Sequence, residues 1–174
     1  MEQRPRTRLA LLLVLPLASS QHTISERTLR LPAEATITLT AQPGCFEWSS
    51  ERSDIAEIAG EPVCDGSSST VTIRTKAPLP GGASCAFVTA RAVDAANAEA
   101  AAADLFCEIN VATVASVRIE TTVRSMVAHE LQWLQLTASD ADGNAFSPLG
   151  LSALDVAWRF SPPGLVNPLA PSET

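Results

Sequence analysis

The chain has 174 residues, with 19 acidic side chains against 12 lysines and arginines, so its formal net charge at pH 7 is −7. An acidic chain without basic clusters makes a poor partner for nucleic acid or for an anionic lipid surface. Tyrosine is absent and aromatic residues are only 5% of the sequence, so a core must come mainly from Val, Ile, Leu and Ala.

The first twenty residues are typical of a secretory signal peptide. Three arginines precede an apolar run over residues 9–18, and the small residues Ala18 and Ser20 fit a cleavage site. The run would reach about 15 Å as a helix, half of a bilayer core of about 30 Å, which favours a signal peptide over a membrane anchor. We therefore expect the chain to enter the secretory pathway. Removing residues 1–20 leaves 9 basic and 18 acidic side chains.

Residues 21–112 read as one all-β unit. Short segments in which apolar and polar residues alternate are separated by Gly, Pro and Ser, which is typical of strands and turns. An alanine-rich stretch, residues 94–104, is interpreted as a long hairpin connection. The pattern predicts an immunoglobulin-like antiparallel β-sandwich. Its expected strands lie within residues 28–41, 45–48, 70–77, 85–93 and 105–114.

Residues 113–174 predict a partial second immunoglobulin-like domain. Two alternating segments, 115–126 and 130–140, are followed by the sequence DADGNAF, which is typical of a hairpin turn. A further strand is expected over residues 154–160, and the end of the chain is rich in proline. Three strands are too few to close a sandwich.

Four cysteines behind a signal peptide favour disulfide bonds. Of the three possible connectivities, the sequence favours Cys45–Cys64 and Cys85–Cys107. The first two cysteines lie on either side of the predicted Trp48 strand, and the other two begin and end a strand–loop–strand segment. No CxxC pair is present, and neither histidine is close to a cysteine in sequence. A zinc site is therefore not expected.

Trp48 and Trp158 both lie in predicted strands. A ligand-stacking role would need an exposed aromatic patch, whereas a tryptophan in an alternating strand is typical of a sandwich core. Both residues are predicted to be core anchors.

The sequence offers no catalytic motif. It lacks GxSxG, HExxH and a glycine-rich phosphate loop. A calcium loop starting at Asp140 would need glycine and glutamate where the chain has Ala145 and Leu151. We therefore expect no enzyme activity, no catalytic residues, no cofactor and no metal.

A family resemblance rests on three stretches. GCFEWSSERSDIAEI, residues 44–58, resembles the Trp-Ser-Ser segment of bacterial-type immunoglobulin-like repeats. Together with the leader, residues 106–124 and residues 136–160, the order of features is similar to the N-terminal segment of the nuclear pore membrane glycoprotein 210 family. The last stretch, LTASDADGNAFSPLGLSALDVAWRF, is the most specific one. The resemblance covers most of residues 30–160.

The resemblance implies a structural protein rather than an enzyme. Members of that family carry a long array of immunoglobulin-like domains in the lumen between the nuclear membranes, followed by one transmembrane helix. They are thought to form a ring around each pore and to anchor the pore in its membrane. Expected partners are therefore other nuclear pore proteins and further copies of the chain. The transmembrane helix is not part of this sequence, which stops within the second domain.

Two other functions stay open at this point. A secreted or cell-surface adhesion module would share the same sandwich. An enzyme accessory domain that binds carbohydrate would need exposed aromatic residues.

Overall fold

The computed structural model describes residues 22–78, 84–93, 104–120, 134–159 and 161. The predicted signal peptide and all but the last residue of the alanine-rich connection lie outside these residues. No helix among the described residues has the length and apolar character needed to cross a bilayer.

Within this part of the chain the structure contains eleven strands and one short helix. In chain order they are β1 (Thr23–Ile24), β2 (Thr28–Pro32), β3 (Thr36–Gln42), β4 (Phe46–Ser50), β5 (Ala56–Ile58), β6 (Val63–Cys64), β7 (Ser69–Thr75), β8 (Ser84–Ala92), β9 (Leu105–Ala112), β10 (Ser116–Glu120), β11 (Gln135–Ser139) and α1 (Pro148–Ser152).

The first nine strands form a two-sheet sandwich, which confirms the predicted all-β, immunoglobulin-like fold. One sheet has the order β1-β3-β7-β5, with β6 also on β7, and the other has the order β2-β9-β8-β4. These orders correspond to the A-B-E-D and C-F-G sheets of an immunoglobulin domain, with β2 added beside the last strand.

One pairing departs from a purely antiparallel sandwich. Strand β2 runs parallel to β9, with Thr28 beside Glu108. The predicted strand over residues 28–41 is in fact two strands, because the chain leaves one sheet after Pro32 and joins the other at Thr36. The turn between them places Glu34 at a φ of 62°, in the left-handed region. A continuous alternating pattern therefore hides a change of sheet.

The core lies between the inward faces of the two sheets. In β7 the residues Val71, Ile73 and Thr75 point inward, as their alternation predicts. In β8 the inward face is made of Ala86, Val88 and Ala90, and the larger residues of that strand face outward. Small residues on one strand let the two sheets approach each other over the branched side chains of β7 and β3. The fully buried side chains include Leu29, Leu31, Leu39, Ile55, Ile73, Ile109, Val71, Val88 and Val111.

The second unit, which we define as residues 113–161, contains the β10–β11 hairpin and α1. Its register pairs Ser116 with Ser139 and Glu120 with Gln135. Strands are thus confirmed over part of the two predicted segments, and residues 121–133 lie outside the described part of the chain. The division of the chain between residues 112 and 113 stays a prediction.

The strand predicted over residues 154–160 is wrong for residues 154–159. These residues form no ladder with any described strand. Instead, the N–H of Leu154 donates to the carbonyl of Leu151 and ends the turn that follows α1. An alternating pattern indicates which residues can share a face, but a strand also needs a neighbour to accept its backbone hydrogen bonds.

Candidate functional site

The described residues do not converge on a reactive centre. No group of three or more His, Cys, Asp or Glu side chains in these ranges is placed to hold a metal ion. The buried and half-buried polar contacts instead join the two sheets to each other and the first sandwich to the second unit. The candidate functional features are therefore the disulfide between the sheets, the contacts between the first sandwich and the second unit, and the exposed strand surfaces.

The disulfide Cys45–Cys64 is confirmed, with a Cα–Cα distance of 5.5 Å. Cys45 immediately precedes β4 in one sheet, and Cys64 lies in β6, which pairs with β7 in the other sheet. The bond therefore connects the two layers of the sandwich at the end where β4 begins. It restricts how far the layers can separate there.

The predicted disulfide Cys85–Cys107 is wrong, since both thiols are free. In the β8–β9 ladder Cys85 is opposite Asn110, and Cys107 is opposite Val88. The two cysteines are three positions apart along the ladder, an odd number, so they point to opposite faces of the sheet. Cys85 lies on the exposed face, whereas Cys107 is fully buried in the core.

Neither free thiol is activated as a nucleophile. Burial raises the pKa of Cys107 to about 12, with further contributions from the negative charges of Glu26 and Glu108. The pKa of Cys85 is also raised, first by partial burial and then by Glu108. A raised pKa keeps a thiol protonated and unreactive at neutral pH.

Trp48 is a core residue, as predicted, with 7% of its surface exposed. Its indole Nε1–H donates to the hydroxyl of Ser69 at 2.9 Å. Ser69 is fully buried in β7, in the sheet opposite Trp48. This hydrogen bond is a further link between the two sheets. Each of its two residues lies within five positions of a disulfide cysteine in sequence. The sequence signal for it is a serine on the inward face of β7.

Trp158 is not a buried core anchor, and that prediction is wrong. It is 39% exposed and follows the turn after α1 rather than lying in a strand.

Arg30 connects the first sandwich to the second unit. Its guanidinium donates to Asp140 Oδ2 at 2.6 Å. Its backbone N–H donates to Ser147 Oγ at 2.7 Å, and its carbonyl accepts the N–H of Ser147 at 3.0 Å. The residues making these contacts are 110 and 117 positions apart from Arg30 in sequence. We call the set Arg30, Asp140, Ser147 and Gly150 the joint.

Asp140 organises both the hairpin turn and the joint. Its Oδ1 accepts the backbone N–H groups of Asp142 and Asn144, at 3.0 and 2.8 Å. Burial opposes ionisation of this carboxyl, but hydrogen bonds from Asn144 and the charge of Arg30 outweigh it and lower the pKa of Asp140. Gly143, with a φ of 84°, completes the turn. The predicted hairpin turn is present, and both carboxylate oxygens have protein partners.

Gly150 lets α1 lie directly on β2. A Cβ at this position would be 2.7 Å from the carbonyl oxygen of Arg30 and 3.3 Å from side-chain atoms of Leu31 and Pro32. The first of these contacts is with backbone, which cannot move aside as a flexible side chain can. Only glycine fits at this point of the joint.

Two aromatic side chains are exposed on the outer face of the β4-β8-β9 layer. Phe87 is 40% exposed and Phe106 is 51% exposed. Phe87 is opposite Glu108 and Phe106 is opposite Thr89, so the two rings are diagonal neighbours across the β8–β9 ladder. Aromatic side chains are therefore not confined to the interior of the sandwich.

Comparison with known proteins gives little beyond the fold. No model of a known protein family matches the chain, and no curated protein matches it. Among solved structures, the chain is similar to domains 4–9 of the surface layer protein SbsC, with 16% identity over 73% of this chain and a TM-score of 0.38. The chain spans 21% of the length of that structure. A likeness this distant supports no statement about function.

Proposed function

We propose that the chain is a structural component of the nuclear pore complex, a lumenal immunoglobulin-like segment of a pore-membrane glycoprotein. It helps to anchor and organise the pore in the nuclear envelope. The observation that carries the proposal is the position of the joint. Asp140, Ser147 and Gly150 all lie in residues 136–160, the stretch with the most specific resemblance to the family.

The joint is suited to an array of domains held in a defined arrangement. A flexible linker without specific contacts would leave successive domains free to rotate. In this structure three contacts act on one residue of β2, Arg30. Its guanidinium pairs with Asp140, its backbone exchanges two hydrogen bonds with Ser147, and its carbonyl leaves no room for a side chain at position 150. A protein whose role is mechanical needs such specified contacts more than it needs a pocket.

The remaining features support this role without identifying it. The Cys45–Cys64 bond suits an oxidising compartment such as the lumen of the endoplasmic reticulum and nuclear envelope. The proposed partners are other nuclear pore proteins and further copies of the chain. In the resembled family, attachment to the membrane comes from a helix near the C-terminus.

Imaging of the tagged full-length protein tests the proposal. A punctate signal at the nuclear rim that coincides with a pore marker is the expected result. Signal at the cell surface, or secretion into the medium, would overturn it.

The second candidate is a secreted or cell-surface adhesion module. The exposed Phe87 and Phe106 favour it, because an apolar pair on an outer sheet face can contact a partner protein. The same imaging experiment separates the two candidates, since an adhesion module would be found outside the cell and not at the nuclear rim.

A further inference from the structure

We propose that the outer edge of β4 joins two copies of the chain by antiparallel strand pairing. The inference specifies a surface for the self-association included in the proposed function, and its tests use the purified chain. Failure of these tests would therefore leave the location in the nuclear envelope unaffected.

Strand β4 is the longest open edge of the first sandwich. It has five residues and pairs only with β8 among the described strands. The other edge of the same sheet, β2, is occupied by the joint and contains Pro32. In the second sheet the edge strands β1, β5 and β6 have only two or three residues. Natural sheets protect long edges with proline, charge or a covering segment; β4 contains no proline, and Glu47 is its one charged side chain.

The backbone groups on this edge alternate in direction. The backbone N–H of Glu51 donates to the carbonyl of Phe87, and the backbone N–H of Val93 donates to the carbonyl of Cys45, both at 3.0 Å. In an antiparallel ladder, every second residue of a strand bonds to the same neighbour. The odd-numbered residues of β4 therefore bond to β8, and the backbone N–H and C=O groups of the even-numbered residues point away from β8. In the described part of the chain, no hydrogen bond engages the backbone N–H or C=O groups of Trp48 and Ser50.

The exposed side chains of β4 suit pairing with a second copy of the chain, and they favour one register. Glu47 and Ser49 are the exposed side chains of β4. An antiparallel pair centred on Trp48 would place Glu47 beside the partner's Ser49, twice by symmetry. Centring on Glu47 would place two Glu47 carboxylates together, and centring on Ser49 would oppose Glu47 and the partner's Glu51. Like charges directly opposite each other destabilise a ladder. Among the registers that pair three or more residues of β4 with β4 of a second copy, the one centred on Trp48 is therefore favoured, and in it the partner's Ser49 hydroxyl can donate to the Glu47 carboxylate.

Two variants that place opposite charges at position 49 test the register. Ser49→Glu would face Glu47 of the partner and is expected to weaken dimerisation about tenfold, whereas Ser49→Lys is expected to strengthen it. Sedimentation velocity over a concentration series measures both. The matched control is Thr89→Glu, which adds the same charge on the same face, directly opposite Ser49 but one strand further from the edge. It should leave the dimerisation constant close to that of the unchanged chain.

Amide exchange locates the pairing. The Trp48 and Ser50 amides should exchange more slowly as protein concentration rises, whereas those of Glu47 and Ser49, which face β8, should not change. The proposal is overturned if the chain is monomeric at the highest attainable concentration. It is also overturned if Ser49→Glu and Ser49→Lys shift association in the same direction, or if Thr89→Glu weakens association as much as Ser49→Glu does.

Discussion

The first sandwich and the second unit have the same alternation of apolar and polar residues but very different cores. Among the described residues of the first sandwich, eighteen buried apolar residues form one cluster between two sheets. The other described cluster has three buried residues: Ala138 and Phe146 of the second unit, and Ala112 at the end of β9. Alternation is therefore sufficient to define an apolar face but not to bury it.

Strands β7 and β10 show this difference directly. Val71 and Ile73 alternate on β7 and are buried between two sheets. Val117 and Ile119 alternate in the same way on β10, yet they are 52% and 53% exposed. A two-stranded sheet has no second layer of its own and is marginally stable by itself. We therefore expect the order of the described part of the second unit to depend on its contacts with the first sandwich at the joint.

The two cores should respond differently to loss of a large side chain. Ile73→Ala, at a fully buried position, is expected to lower the free energy of unfolding by about 2–5 kcal/mol, because it leaves a cavity between the sheets. Phe146→Ala should release only the second unit, since its cluster is small and separate. Amide exchange resolved for β7 and β11 measures the effects. Equal loss of protection in β7 in both variants would contradict this division.

The disulfide should stabilise the first sandwich alone. Replacing Cys45 and Cys64 together by alanine is expected to cost about 3 kcal/mol, the chain-entropy contribution of a loop of this length. Thermal unfolding under oxidising conditions measures the change, and Cys85→Ala is the control because its thiol is already free. If the double variant unfolds at the same temperature as the unchanged chain, the disulfide Cys45–Cys64 has no stabilising role.

Several features were predictable because they depend on local pattern. The inward faces of β3 and β7, the burial of Trp48, the turn at Asp140 and the bond Cys45–Cys64 all follow from alternation, turn residues or short separation. These signals are contained within about twenty residues of sequence.

Other features depend on registers and contacts that no local pattern contains. The face on which Cys107 lies is set by the β8–β9 register, and a shift of one residue would move it to the other side of the sheet. The pair Arg30 and Asp140 is separated by 110 residues, so nothing near either residue predicts the other. The failure at Trp158 has the same origin, because a strand there would have needed a neighbour.

The joint can be loosened by one added methyl group. Gly150→Ala would place a methyl group against the Arg30 carbonyl and is expected to cost about 1–3 kcal/mol, as overpacking does in a close contact. Amides of α1 and β11 should exchange faster while those of β7 keep their protection. Ser152→Ala on the same helix is the control, since it removes an exposed hydroxyl and its hydrogen bond to the Leu149 carbonyl but adds nothing at the contact with β2. Unchanged exchange in Gly150→Ala would show that α1 does not need its close approach to β2.

An effect of pH on stability should originate in the first sandwich, because all four cysteines precede the second unit in sequence. The pKa of Cys107 is raised by burial from 9.0 to about 12, so the unfolded chain loses this proton at a lower pH than the folded one. The stability that this thiol contributes is complete below pH 9.0 and is lost as pH rises towards about 12. Denaturant unfolding across this window should show a fall in stability that Cys107→Val reduces and Cys85→Ser leaves in place. A fall of the same size in Cys107→Val would mean that other groups cause the loss and that the buried thiol does not.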